Sequence, residues 1–321
     1  MGILADSHYL DQLGQRFDYS LNELAEKLYN FKTGKNTKLF HYTSSKSLEN
    51  ILKENELWFS DSTCLNDKSE GSYYIELFYD YFKNFNNGES EFSRFKEEVL
   101  DSIHLENETF FHAKNFSKTA ERMKYFICSL SLDDDSLPMW NYYTKNHDKI
   151  GYNLCFNKSN IVNSIKESLK QKKIKYYNVE SIKVLYDKNK QNNFLKECIL
   201  LTYGKWKEAN IYGMFVIADL VELLIRLKFI FKHPSFKSEK EVKLVISISE
   251  DDFNKQINKK ILKIRTQNNE IVPYLSLAFD NSLKEIKASP LTPNYMSVEY
   301  LLKYYGYKNV KIEKSEIPLR Y

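Results

Sequence analysis

Apolar and polar positions along this chain change period several times, and the changes mark its elements. Residues 8 to 30 place Leu10, Leu13, Phe17, Leu21, Leu24 and Leu28 three or four apart, a helical stripe that Gly34 brings to a stop. This predicts a helical N-terminal arm over residues 1–38. A short strand-like run follows at Leu39 to Ser44, then an amphipathic helix from Ser47 to Asn55 reading Leu48-x-x-Ile51-Leu52, then a second strand at Leu57 to Ser60. Leu65-Asn66-Asp67 with Glu70 reads as a polar turn, and an Asx cap for a helix starting near Ser69 explains it most simply. Two helical stretches, 72–87 and 91–104, are joined by the turn signal Asn86-Asn87-Gly88.

Further along, Tyr125 to Ser131 is a short apolar strand ending in small polar residues. Asp133-Asp134-Asp135 then makes a turn before the helical start at Pro138 and Trp140. Strands are predicted at Gly151 to Phe156 and Ile182 to Tyr186. The stretch from Gln191 to Phe231 is helical, with interruptions near Gly204 and Gly213, and reads as an inserted helical lobe near 190–231. Strands return at Val242 to Ile248, Ile261 to Arg265, Ile271 to Ala278 and Leu283 to Lys287. A helix from Val298 to Tyr305 ends at Gly306 and feeds a strand at Val310 to Glu313. With no repeat and no low-complexity linker, the economical reading is one α+β domain over residues 39–321 with helical decoration.

Composition narrows the classes. At 321 residues with 42% hydrophobic and 15% aromatic side chains, the chain can bury a substantial core. A net charge of +4, from 47 basic against 43 acidic residues, excludes a wholly electrostatic nucleic-acid binder. Basic clusters at Lys166 to Lys175, beside Tyr176-Tyr177, and at Lys255 to Arg265 fit a nucleic-acid backbone, but in a chain this rich in lysine they fit solvated helices better. Cys64, Cys128, Cys155 and Cys198 form no C-x-x-C pair and have no histidine at ligand spacing, which argues against structural zinc. The polar start and scattered thiols are expected of a cytoplasmic protein. The most apolar run, Met214 to Phe231, holds Asp219, Glu222 and Arg226, so it is expected to be a buried helix and no membrane partner is expected. Three consecutive acids at 133–135 cannot all face one ion. Neither a P-loop nor G-x-G-x-x-G is present, which removes the main support for kinase or Rossmann chemistry.

Within the first strand, helix and strand, His41, aromatics, hydroxyls and acids converge, as suits a polar small-molecule site. The motifs Phe40-His41-Tyr42-Thr43, Leu65-Asn66-Asp67, Cys128-Ser129-Leu130-Ser131, Leu137-Pro138-Met139-Trp140 with Tyr142-Tyr143, Phe231-Lys232-His233 with Phe236, Glu239-Lys240-Glu241-Val242-Lys243, Val272-Pro273-Tyr274 and Ser315-Glu316-Ile317-Pro318-Leu319-Arg320 occur in an order that resembles the bacterial family known as domain of unknown function 2971. Lys243 and Val242 depart from it, standing where the family usually has arginine and tryptophan.

A second resemblance covers two short pieces of the chain. A strand with histidine followed by a hydroxyl residue, a helix and a short strand is similar to the opening of ADP-ribosyltransferase folds, including the DNA-targeting toxin branch. That likeness implies a mixed, mainly antiparallel sheet core, NAD as substrate, and a glutamate on a later strand completing the site: Glu241, with Glu239 behind it. Strand alternation is expected to put Glu239, Glu241 and Lys243 on one face. His41 is the third catalytic candidate and hydrogen-bonds a ribose hydroxyl; Tyr42 or a nearby aromatic stacks on nicotinamide, Thr43 steadies the strand, and Ser60 supports as a donor. Trp140 and Tyr143 complete the NAD-binding set, although each reads at least as well as a core anchor. The implied protein is a toxin or antiviral-defence effector that modifies nucleic acid or protein, with a homo-oligomer or a neutralising partner left open. Two other classes remain beside it: a hydrolase or nuclease using His41 with Asp67 or Glu70, and a non-catalytic sensor or interaction module.

Overall fold

The computed structural model describes residues 34–64, 68–107, 123–144, 150–175, 177–209, 213–258, 261–267 and 269–319. The arm read over residues 8–30 and the Leu65-Asn66-Asp67 turn lie outside the described residues. The chain divides into two compact units.

One unit is helical, and its described residues hold four helices, Lys68–Asn84, Ser90–Asn107, Lys188–Ala209 and Gly213–Ile230. Apolar side chains recur at helical spacing and meet in one aromatic core that includes Phe78, Phe82, Phe92, Phe95, Tyr203 and Leu224. Burying a side chain of this size contributes roughly 1.5–3 kcal/mol over leaving it exposed. The expected break at Gly204 is absent, because a glycine inside a long apolar stripe weakens a helix without ending it; the helix runs through to Ala209. The expected interruption at Gly213 is real, and that residue begins the next helix. Among the described residues, no helix is long and apolar enough to cross a membrane.

The other unit is a mixed, mostly antiparallel sheet with helices. Its strands are β1 Lys38–Ser44, β2 Glu56–Asp61, β3 Met123–Ser131, β4 Gly151–Asn157, β5 Tyr177–Lys183, β6 Glu241–Ser249, β7 Lys263–Gln267, β8 Glu270–Ala278, β9 Leu283–Ala288 and β10 Lys311–Lys314. Only the β9–β10 pair among these strands is parallel. Along one edge, β3 pairs with β6 through nine residues, from Met123 opposite Ser249 to Ser131 opposite Glu241, and β6 in turn carries β5. Along its other edge β3 meets two strands. It pairs with β1 at Phe40 opposite Ser131, and with β2 at Ser60 opposite Ile127 and Asp61 opposite Phe126. From there β1 continues through β4 and β9 to β10, while β2 continues through β8 to β7.

Both β1 and β2 are antiparallel to β3. Extended at those registers, residues 41–43 of β1 and 57–59 of β2 would claim the same stretch, Cys128 to Leu130. Two strands cannot occupy one edge, so the sheet forks into two wings. The interior is one apolar cluster built from Leu39 and Leu154 of the first wing, Phe59 and Leu275 of the second, Leu244 of β6, and residues of helices Ser45–Glu54 and Lys158–Gln171. Ser44 accepts a hydrogen bond from the Ser47 amide at 3.3 Å and so caps the first of these helices.

The strand expected at Ile182 to Tyr186 runs instead from Tyr177 to Lys183, where it finds β6 as its partner. Helices Lys158–Gln171 and Glu250–Asn258 account for most of one lysine-rich run and the start of the other. All four cysteines are free, and three are buried.

Gly151, where β4 meets β1, has no room for a side chain: a Cβ there would lie 2.7 Å from the Thr43 carbonyl and 2.4 Å from Thr144 Cγ2. A Cβ on Gly204 would meet nothing within 4 Å. Gly151→Ala should therefore cost about 1–3 kcal/mol, and Gly204→Ala should gain about 0.5–1 kcal/mol. Thermal unfolding followed by circular dichroism reads both, and shifts of the same sign would contradict the packing described.

Candidate functional site

Where β1 leaves β3, a cavity of about 40 Å³ opens, lined by Phe40, His41, Tyr42, Ser129, Leu130, Met139, Tyr143, Glu239 and Glu241. Neighbours of both parities line it, Phe40 with His41 and Ser129 with Leu130. Successive strand residues point to opposite faces, so this cavity sits in the gap between parting strands rather than on a sheet face.

His41 stands at the first position beyond the shared Phe40–Ser131 pair. Its ring hydrogen-bonds the Ser129 backbone, supplying a partner to a main-chain group that the diverging strand no longer reaches. Burial pulls its pKa below the ordinary 6.5, and the Ser129 bond opposes that shift less strongly. The imidazole is thus held neutral at pH 7.

Tyr42 is fixed at both its ring and its hydroxyl. The ring meets Trp140 edge-on at 4.7 Å; the hydroxyl donates to the Asp133 carbonyl at 2.8 Å and accepts from the Ser136 amide at 3.1 Å. Burial raises its pKa, so it remains a phenol. Trp140, fully buried, backs this wall without lining the cavity, and its indole N–H donates to Asp135 at 2.8 Å. Tyr143, on the same helix Leu137–Tyr143, does line it and is less buried.

The two glutamates arrive by different routes. Val242, Leu244, Ile246 and Ile248 face the interior, which puts Glu241 and Lys243 on the opposite face of β6. Glu239 does not belong to the strand, as alternation had suggested, but to the 3₁₀ turn Pro234–Glu239. Lys240 separates them at φ 43°, in the left-handed region. A lysine held there is strained by its Cβ, and the turn is pinned in place: the Ser131 hydroxyl donates to the Glu239 carbonyl at 2.7 Å, Leu132 N–H to the Lys240 carbonyl at 3.0 Å, and Lys240 pairs with Asp133 at 2.8 Å. Both carboxylates are buried, as is Lys243, and all three have interaction partners.

The acidic turn is a clasp. Asp133 takes Lys240, Asp134 takes Lys287 at 2.7 Å, and Asp135 accepts from Trp140, from the Ser315 hydroxyl at 2.6 Å and from the Glu316 amide at 3.0 Å. The Lys287 hydrogen bond holds the Asp134 carboxyl below its usual range. Ile317 packs onto the cluster of Phe40, Tyr42, Met139 and Trp140, which gives the C-terminal motif a structural role.

Of the residues predicted from sequence, His41, Tyr42, Tyr143, Glu239 and Glu241 line one cavity, while Thr43, Ser60 and Trp140 do not. Thr43 is buried, with its carbonyl against Gly151. Ser60 lies on β2 and accepts from Arg265 at 2.8 Å. Asp67 lies outside the described residues. Sequence reasoning missed Phe40, Ser129, Leu130 and Met139 as lining residues; each sits inside a motif already singled out, but strand divergence is a tertiary event that no local period signals. The thiols nearby are not nucleophiles at neutral pH, since burial pushes Cys128 up to about 12 and Cys155 to about 11.

The depressed His41 pKa has a definite sign in stability. The unfolded chain takes up this proton near 6.5 and the folded chain at lower pH, so acidification from above 6.5 toward the folded value removes stability, which then levels off. In His41→Asn that component should vanish from the difference in denaturation midpoints between pH 7.5 and 5.5. A His41 imidazole NMR titration midpoint at or above 6.5 would contradict the burial argument.

No curated protein and no solved structure gives a significant match to this chain. Residues 139–244 match the family described as a protein of unknown function, DUF2971. That stretch begins at Met139 and ends just past Lys243, so it carries Trp140, Tyr143, Glu239 and Glu241, and over it the family likeness read from the ordered motifs holds.

Proposed function

We propose that the fork cavity is the reaction centre of an NAD-dependent ADP-ribosyltransferase. The single observation that supports this most is that a neutral histidine, three aromatic rings and two buried carboxylates, contributed by β1, helix Leu137–Tyr143, the Pro234–Glu239 turn and β6, line one small cavity. Cleaving the bond between nicotinamide and ribose sends the electron pair out with nicotinamide and leaves an oxocarbenium-like ribosyl cation. A carboxylate fixed beside that carbon stabilises positive charge that exists only in the transition state, and a low-dielectric setting strengthens the effect.

In this reading Glu241 faces the ribose and Glu239 accepts the proton released when the acceptor's nucleophile bonds to the anomeric carbon. His41, its one N–H spent on the Ser129 backbone, accepts at its other ring nitrogen from a hydroxyl of the nicotinamide ribose. Tyr143 is the stacking ring, because Tyr42 is tied at its hydroxyl and wedged against Trp140. A cavity of about 40 Å³ holds only a few waters, so a nicotinamide ring enters as Met139 and Tyr143 move aside. The acceptor class, nucleic acid or protein, follows from what stimulates turnover, and either suits a toxin or defence effector.

Nicotinamide release from NAD by the purified full chain, alone and with DNA, RNA or lysate proteins, tests the proposal. Glu241→Gln should lower kcat about 10²–10³-fold, with His41→Ala acting mainly on KM. Intact NAD under every condition with a folded protein would overturn the transferase reading and favour a nuclease or a binding module.

A further inference from the structure

The second wing of the sheet carries a cation that the fork chemistry does not use. Trp58 and Ser60 alternate along β2 on the face away from the apolar interior, which takes Leu57 and Phe59 instead. Tyr274 of β8 lies opposite Ser60 in register, and Arg265 comes from β7 on the far side of β8. The Arg265 guanidinium lies 5.1 Å from the Trp58 ring centre and 5.5 Å from that of Tyr274, and it donates to the Ser60 hydroxyl at 2.8 Å.

A guanidinium cannot shed its charge to escape burial. Partly buried arginines are ordinarily matched by a carboxylate, yet none among the described residues pairs with Arg265. The acids on β2 are engaged elsewhere. Glu56 takes Lys263 at 3.1 Å and the Ser276 hydroxyl, and Asp61 accepts from the Thr63 amide and hydroxyl at 2.9 and 2.7 Å. The Arg265 Nε is buried with no acceptor among the described residues. A buried donor left unsatisfied beside two aromatic rings calls for an acceptor that these residues do not supply. Trp58, 40% exposed, is the open side of the clamp.

We propose that Arg265, clamped by Trp58 and Tyr274, is a binding site for a phosphate group. A tetrahedral oxyanion meets the planar guanidinium fork with two parallel hydrogen bonds; the Ser60 hydroxyl lies within reach of the same oxygens, and the exposed Trp58 face offers a stacking surface to a base attached to that phosphate.

Calorimetric titration of the full chain with inorganic phosphate, AMP and adenosine tests this. Phosphate and AMP should bind and adenosine should not; Arg265→Gln should weaken the anions by about tenfold or more, with Arg265→Lys between the two because it keeps the charge and loses the fork. Tighter AMP than phosphate identifies a nucleotide, and equal affinities identify a free-phosphate site. Should Arg265→Gln fail to fold, the Arg265 Nε–H resonance of the labelled wild type replaces it, shifting as phosphate is added. Absence of anion binding to the folded wild type, wild-type affinity in Arg265→Gln, or an unmoved Nε–H signal would overturn the site. Binding is read without turnover and should persist in Glu241→Gln, so this inference stands or falls apart from the NAD proposal.

Discussion

Two antiparallel strands cannot pair with the same stretch of a third, and the organisation of the sheet unit follows from that exclusion. β1 holds β3 only at Phe40 opposite Ser131, and β2 holds it only at Ser60 and Asp61 opposite Ile127 and Phe126. Between those anchors Cys128, Ser129 and Leu130 lose neighbours on one edge, and the two wings part around an apolar interior stiffened by helices. A fork exposes main-chain groups that need partners, which gives a polar side chain at the first unpaired position a physical purpose. His41 occupies that position and bonds to Ser129.

Charge does the remaining work of holding the cavity's far wall. Each of the three acids following β3 faces a different partner: Lys240 at the turn into β6, Lys287 on β9, and the combined donors of Trp140, Ser315 and Glu316. Ser131 adds a neutral tie, its hydroxyl bridging the Glu239 carbonyl and the Asp133 amide. The left-handed Lys240 is tolerated because these bonds over-determine the turn. The outcome is that Glu239, though outside the strand, is delivered to the same cavity as Glu241.

Much of this was legible in the chain, for identifiable reasons. Apolar spacing found most strands and long helices because burial on one face imposes a period. His41, Tyr42, Tyr143, Glu239 and Glu241 were all singled out beforehand and do line one cavity. What failed was local punctuation overridden by packing. Gly204 sits inside an unbroken helix, and β5 slid toward Tyr177 to pair with β6. Trp140 and Ser60 are placed by contacts with Tyr42 and Arg265, residues distant in sequence whose proximity no periodicity encodes.

The most direct test of the account is a crystal structure of the full chain with a non-hydrolysable NAD analogue. The account predicts the nicotinamide ring in the fork beside Tyr143, with its ribose within hydrogen-bonding distance of His41 and Glu241 and Met139 displaced. An analogue bound elsewhere, or a fork still closed at saturating analogue, would contradict it.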